Sequence, residues 1–403
     1  MYDVAVIGSG PAGLFAAMEL VNNSNLNVIV LEKARRLNDS RNVSMGWLGG
    51  CARASAKLFI DPDFGGKIAT TELVSEFLER LGEYGTGNLR PSKKKLLKRS
   101  VLRANELGIE IDEPTTIAYA EDKMIKLGDF LYTSLREKAT VIHKLDISKI
   151  KRDNEGFSIV TQEHTIKAKK VIVGLGRGGA YWLLNENAHF DFSYNEDYFD
   201  LGFRMEFPSF VFKNFADKSH HFRFRFGDFK TTVPVFLGTV ETEEIGPIRS
   251  SNGRAWNSKK SPMVNMGILR RFYTKRPHKD IYRLSEIVNV LCDNQLMREP
   301  IGKMLKNETM LSHLPEFQAI TEGLAKMTEL FPALKRKCTI YAPETRLNSI
   351  RFNLSDSMES DVQNMYIVGD MSGHTNSFVQ AACSGILAAK NILAKEEEEN
   401  DRS

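Results

Sequence analysis

Three kinds of hydrophobic patterning divide the chain. Unbroken apolar runs mark strands buried on both faces at Val4-Ala5-Val6-Ile7, Val28-Ile29-Val30-Leu31, Val171-Ile172-Val173 and Met365-Tyr366-Ile367-Val368. Apolar positions near a 3.6-residue repeat predict helices over 72–84 (Leu73, Phe77, Leu78, Leu81), over 91–107 (Leu96, Leu97, Val101, then Leu102 or Ala104) and over 126–138. Strict alternation at Leu201, Phe203, Met205, Phe207 and at Phe222, Phe224, Phe226 predicts strands with one buried face. Short strands are expected at 141–143, 156–161 and 164–168. Residues 284–331 read as helical, punctuated by Pro300, Pro315 and Pro332, and a small-residue helix is expected over 377–393.

The first run leads directly into Gly8-Ser9-Gly10-Pro11-Ala12-Gly13, and the second ends at Glu32-Lys33. A strand, a GxGxxG turn, a helix, a second strand and an acid at this spacing form a dinucleotide-binding βαβ unit. Gly8 permits the tight turn, Gly10 lets the backbone approach a pyrophosphate, and Gly13 allows the helix to pack on the strand. The pyrophosphate belongs at the helix N-terminus and the ribose hydroxyls at Glu32. The late strand ends in Gly369-Asp370 before the last helix, and Gly174 follows the third run, so both pieces return to the first domain.

The expected fold is α/β: a Rossmann-like dinucleotide-binding domain split in sequence, with an inserted mixed α/β cap. The expected divisions are 1–199 with a helical insertion at about 67–138, the cap over 200–333, the return over 334–395, and an acidic tail over 396–403. With 403 residues, 42% of them apolar, the chain has enough material for both domains. Lys and Arg number 55 against 51 Asp and Glu, a balance that does not by itself call for nucleic acid. Cys51, Cys292, Cys338 and Cys383 are far apart and the histidines lack ligand spacing, so neither a disulfide scaffold nor a metal site is expected. With no apolar run of spanning length and no leader pattern before Tyr2, the expectation is a cytoplasmic protein without a membrane partner.

The Gly-Asp after the late strand resembles the FAD-binding two-dinucleotide-binding-domain flavoproteins. Four segments narrow that resemblance to the NAD(FAD)-utilising dehydrogenases of the HI0933-like group: Gly46 to Leu58, Gly202 to Pro208, Glu344-Thr345-Arg346 with Arg351, and Gly369 to Gly373 leading to Val379 to Gly385. That family usually has Ser-Asp-Gly before the loop lysine, where this chain has Ala54-Ser55-Ala56. The resemblance implies FAD as cofactor, with Asp370 on the ribityl chain and the helix start at Asn376, Ser377 and Phe378 aimed at the flavin pyrimidine ring. Gly49 and Gly50 would lie against the cofactor. A helix N-terminus there favours the reduced, anionic flavin.

The implied activity is that of an FAD-dependent oxidoreductase, exchanging hydride between the flavin and a small anionic substrate. Lys57, Arg346 and His374 are the candidate catalytic residues beside the flavin, and Cys51 is read as an inert apolar residue. Two alternatives remain. The basic stripe Lys93-Lys94-Lys95, Lys98, Arg99, Arg103, together with Arg223, Arg225, Arg270 and Arg271 among phenylalanines, would suit a flavoenzyme, an amine oxidase or lyase, that modifies a base in nucleic acid. The other is a purely structural FAD. The substrate, the electron partner and the oligomeric state are left open.

Overall fold

A computed structural model describes residues 1–34, 46–50, 57–86, 91, 96–118, 121–213, 215–216, 221–245, 248–255, 261–346 and 350–401. Cys51, Ala54 to Ala56, Lys93 to Lys95 and His220 lie outside the described residues.

The unbroken apolar runs assemble into the centre of a seven-stranded sheet. Tyr2–Ile7 lies between Val28–Leu31 and Thr165–Val173, parallel to both, and Thr140–Ile142 and Met365–Ile367 extend the parallel set on either side. The long strand Thr165–Val173 has two roles. Its first half pairs antiparallel with Gly156–Thr161, which in turn pairs with Ile147–Asp153, and its second half carries Met365–Ile367. Helices Pro11–Asn23 and Phe378–Asp401 cover one face and pack on each other so closely that a Cβ on Gly385 would overlap the Ala12 carbonyl. The first and last parts of the chain are thus one folding unit, as the split domain requires.

The cap is built on an eight-stranded sheet. Its long central strands, Tyr198–Pro208 and Met263–Tyr273, are antiparallel partners from Tyr198↔Tyr273 to Pro208↔Met263. Phe203, Met205 and Phe207 are buried, and Phe203 packs on Phe317 of the helix Pro315–Leu330, but the single buried face that the alternation predicts is not what forms: Asp200, Gly202 and Arg204 on the other face are buried as well. The cap sheet also takes strands from outside 200–333. Glu110–Asp112 pairs with Arg223–Phe226 at one edge, and Thr339–Arg346 pairs with Tyr198–Pro208 on the other side. A hairpin, Thr239–Ile245 with Ile248–Arg254, docks on this last strand, where Ser250 Oγ accepts from Thr345 N at 2.9 Å.

Several local expectations differ from what forms. In the stretch read as helical, Asp293 and Asn294 take left-handed φ values of 49° and 55° after the helix Pro277–Leu291. They let Met297–Pro300 turn into an edge strand against Thr339–Ala342, where Pro300 is tolerated. In the helix Lys98–Glu106, Ala104 is buried while Leu102 is exposed. The acidic segment after Lys395 is not a loose tail. The last helix runs on through Asp401, with Glu396 paired to the buried Lys170 and Lys395 bonded to Glu359 at 2.7 and 2.9 Å.

Candidate functional site

The glycine turn has the geometry its sequence demands. Gly8 has φ of +100°, and a Cβ there would lie 2.5 Å from the Gly174 carbonyl oxygen. A side chain on Gly13 would overlap the Gly8 carbonyl, whereas nothing lies within 4 Å of a Cβ position on Gly10. That open position precedes Pro11, which is pre-organised for the first helical turn and has no N–H to leave unpaired. The result is a cradle at a helix N-terminus, suited to a diphosphate. Gly49, with Gly50 beside it, covers the turn, because Leu48 N donates to Ser9 O at 2.9 Å and a Cβ on Gly49 would stand 3.5 Å from Gly10 Cα. Trp47 anchors this cover through its indole N–H, which donates to Gly128 O at 2.9 Å.

Glu32 is buried at the end of its strand. Its Oε2 accepts from Ser9 N at 2.9 Å and Ser9 Oγ at 2.5 Å, and its Oε1 from Ala34 N at 2.8 Å. A carboxylate has about four acceptor sites, so this one retains capacity for a ribose hydroxyl. Lys33 points elsewhere, to an exposed ion pair with Asp146 at 3.0 Å.

At the other end of the chain, Gly369 has φ of +70° and lies against Ala12, with its N–H donating to Ser384 Oγ at 2.9 Å. Asp370 follows and is bonded by Thr375 Oγ1 at 3.0 Å. Burial raises its pKa from the ordinary 3.8 to about 6, against the opposing pull of Arg177 and Arg346. Ser377 caps the last helix, its Oγ accepting from Gln380 N at 3.3 Å, and Asn376 N bonds Gly65 O. Phe378 faces the core, edge-on to Phe15 with ring centres 6.2 Å apart. His374 spends its Nε2 on the Phe352 carbonyl at 2.8 Å, tying the cofactor loop to the strand Arg351–Phe352.

Lys57 reaches from the short strand Lys57–Phe59 to the cap, donating to Pro234 O at 2.6 Å. Burial lowers its pKa from 10.5 to about 7. Arg346 ends a cap strand, and around it lies a buried ion network that sequence reasoning did not assemble. Glu344 accepts from Arg346 Nη2 at 2.8 Å and Arg204 Nη2 at 2.7 Å. Glu243 accepts from Arg177 Nη2 at 2.5 Å and Asn252 Nδ2 at 2.9 Å, and stands 3.9 Å from Arg346 Nη1. Arg204 Nη1 also bonds Asn265 Oδ1 at 2.7 Å.

Two glycines make room for these charges. A Cβ on Gly253 would lie 2.5 Å from Arg204 Nη1, and one on Gly267 2.5 Å from Glu344 Oε1. Next to Arg346 in the sheet, Asp200 is paired with Lys230 and with Arg271 Nε at 3.1 Å. Arg177 and Arg346 also lower the pKa of Asp370 against the effect of its burial. The sequence offered no direct signal, because alternation puts Arg204 between Phe203 and Met205 on the face expected to meet solvent, whereas the strand is buried along nearly its whole length.

The other basic residues are differently placed. Arg223 and Arg225 pair with Asp112 at 2.6 and 2.9 Å, Arg270 bonds Ala319 O at 2.9 Å, and Phe222 and Phe224 are fully buried. Rings so buried are not available for stacking on bases. Among the described residues there is no cluster able to hold a metal ion, and no helix long and apolar enough to cross a membrane.

Comparison with known proteins bears on the same cradle. Residues 3–62 match the FAD binding domain family. No curated protein matches the chain. Among solved structures, glycine oxidase from Geobacillus kaustophilus is similar at 12% identity and a TM-score of 0.46, over 98% of this chain and 95% of that one. A geranylgeranyl bacteriochlorophyll reductase-like protein from Thermoplasma acidophilum is similar at 14% and 0.47, over 100% and 80%. An oxidoreductase from Methanosarcina mazei is similar at 12% and 0.47, over 96% and 100%. The fold and the matched segment define a mixed α/β, Rossmann-like FAD-binding protein. The residues of the cradle fit that cofactor: an open glycine at a helix N-terminus, a buried acid with spare acceptor capacity, and a Gly-Asp turn beside them.

Proposed function

We propose that the protein is an FAD-dependent oxidoreductase, a dehydrogenase or reductase, whose small anionic substrate lies between the cap and the cofactor domain. The observation that carries this reading is the ion network itself. Arg346 and Glu344 from a cap strand and Glu243 from the docked hairpin meet Arg177 of the cofactor domain, and both arginines act electrostatically on Asp370. Buried charges at a domain junction are costly to assemble and are worth keeping where a ligand uses them.

FAD when bound supplies the two-electron chemistry. In this reading Gly8 to Gly13 hold the diphosphate, Glu32 the ribose and Asp370 the ribityl chain. Lys57 stands at the junction as a proton donor or acceptor near neutrality, and Arg346 faces the substrate. His374 holds the cofactor loop in place through Phe352. The pairing of Arg223 and Arg225 and the burial of Phe222 and Phe224 favour a small substrate over nucleic acid.

The test is a visible spectrum of the purified protein during anaerobic photoreduction, followed by reoxidation with oxygen, a quinone or NAD(P)+. A yellow chromophore that bleaches and returns is expected. A colourless protein that takes up no FAD, or a bound flavin that does not cycle, would overturn the proposal.

A further inference from the structure

The ion network has a direction. Glu243 and Glu344 are completely buried, yet the side chains of Arg177 and Arg346 keep 16% and 13% of their surface exposed. In this part of the network the accessible side chains are therefore the two arginines, with Glu243 and Glu344 behind them. Glu243 stands between the two arginines, with one oxygen on Arg177 and the other 3.9 Å from Arg346, so it fixes their separation. Glu344 holds Arg346 through a 2.8 Å bond to Nη2, and both arginines act electrostatically on Asp370 of the Gly-Asp turn.

We propose that Arg177 and Arg346 form a clamp for a carboxylate group of the substrate, with Glu243 as the residue that positions it. The substrate class is then a small carboxylate, and this step rests on the redox reading above. Guanidinium groups suit carboxylates because their donors form a planar fork that pairs with both oxygens. A phosphate monoester would bring about −1.5 to −2 to the same two arginines and serves as the contrasting class.

The experiment uses the FAD-loaded protein and follows the visible flavin spectrum while acetate, propionate and benzoate are added, with inorganic phosphate and methyl phosphate as the contrasting arm. At least one carboxylate should perturb the spectrum saturably. Arg346→Met and Arg177→Met should each weaken that binding at least tenfold at unchanged FAD content, and Glu243→Gln should weaken it less. Added guanidinium should restore part of the affinity of Arg346→Ala, which a purely structural latch would not allow. Should the Met variants lose FAD, Arg346→Lys serves in their place, retaining the charge without the fork, and a tenfold loss is again expected.

A reducible flavin that no carboxylate perturbs would overturn the clamp while leaving the redox reading intact, as would equal affinity in all variants or tighter binding of the phosphates. Absence of a redox-active flavin would instead remove the reading beneath it.

Discussion

Replacing Lys57 by Met should make the protein more stable at acidic pH, and the size of the gain should depend on pH in a calculable way. In the folded chain burial lowers the ammonium pKa from 10.5 to about 7. At about 1.4 kcal/mol for each factor of ten in proton affinity, holding Lys57 charged costs on the order of 5 kcal/mol. The sign follows from proton counting. Between pH 7 and 10.5 the unfolded chain binds the proton that the folded chain has released, so wild-type stability rises with pH across that window. The cost of the lysine is about 5 kcal/mol at pH 6 and about 2 kcal/mol at pH 9.

Methionine removes the charge but leaves Pro234 O without its partner, which returns about 1–2 kcal/mol. The net gain for Lys57→Met is therefore about 3 kcal/mol at pH 6, shrinking to near zero at pH 9. Urea denaturation of the FAD-saturated proteins at pH 6, 7, 8 and 9 measures the difference directly. A stability difference that is constant across the series, or a variant weaker than wild type at pH 6, would refute the argument. A residue that destabilises its own fold is a candidate for function, and the same variant should lose flavin turnover even as it gains stability.

Other consequences can be checked with equal directness. Gly13→Ala places a methyl group on the Gly8 carbonyl, and the purified variant should lose most of its FAD, read from the ratio of visible to ultraviolet absorbance. Gly253→Ala intrudes on Arg204 and Asn265 in the buried network and should cost about 2–4 kcal/mol in denaturant unfolding. Asp370 takes up its proton at about pH 6 when folded and 3.8 otherwise, so stability of the apoprotein should fall as pH rises from 4 to 6. That slope should be absent in Asp370→Asn, leaving the variant up to about 3 kcal/mol more stable at pH 8.

The parts of the structure legible in the sequence are those set by local rules. Gly8 and Gly13 meet steric constraints that only glycine satisfies, Gly10 leaves the cradle open, and doubly buried parallel strands read as unbroken apolar runs. The cap was legible only where alternation is strict, as at Phe203, Met205 and Phe207. The hairpin Thr239–Arg254 escaped because Glu241, Glu243 and Glu244 give it no apolar stripe, and its burial comes from docking. The ion network escaped for a deeper reason. Arg177, Arg204, Glu243 and Glu344 come from four separate segments, and nothing in any one of them specifies its partner. Only the three-dimensional register, Gly202 opposite Glu344 and Asp200 opposite Arg346, brings them together.

The partnership between the first helix and the last also sets a timetable for biosynthesis. Val171–Val173 lacks the second of its two parallel neighbours, and the Gly8 turn lacks Gly369 and the helix behind it, until the ribosome has delivered residues 365 to 401. The sheet therefore keeps one apolar edge open, and the coenzyme cradle one wall unbuilt, until that segment arrives.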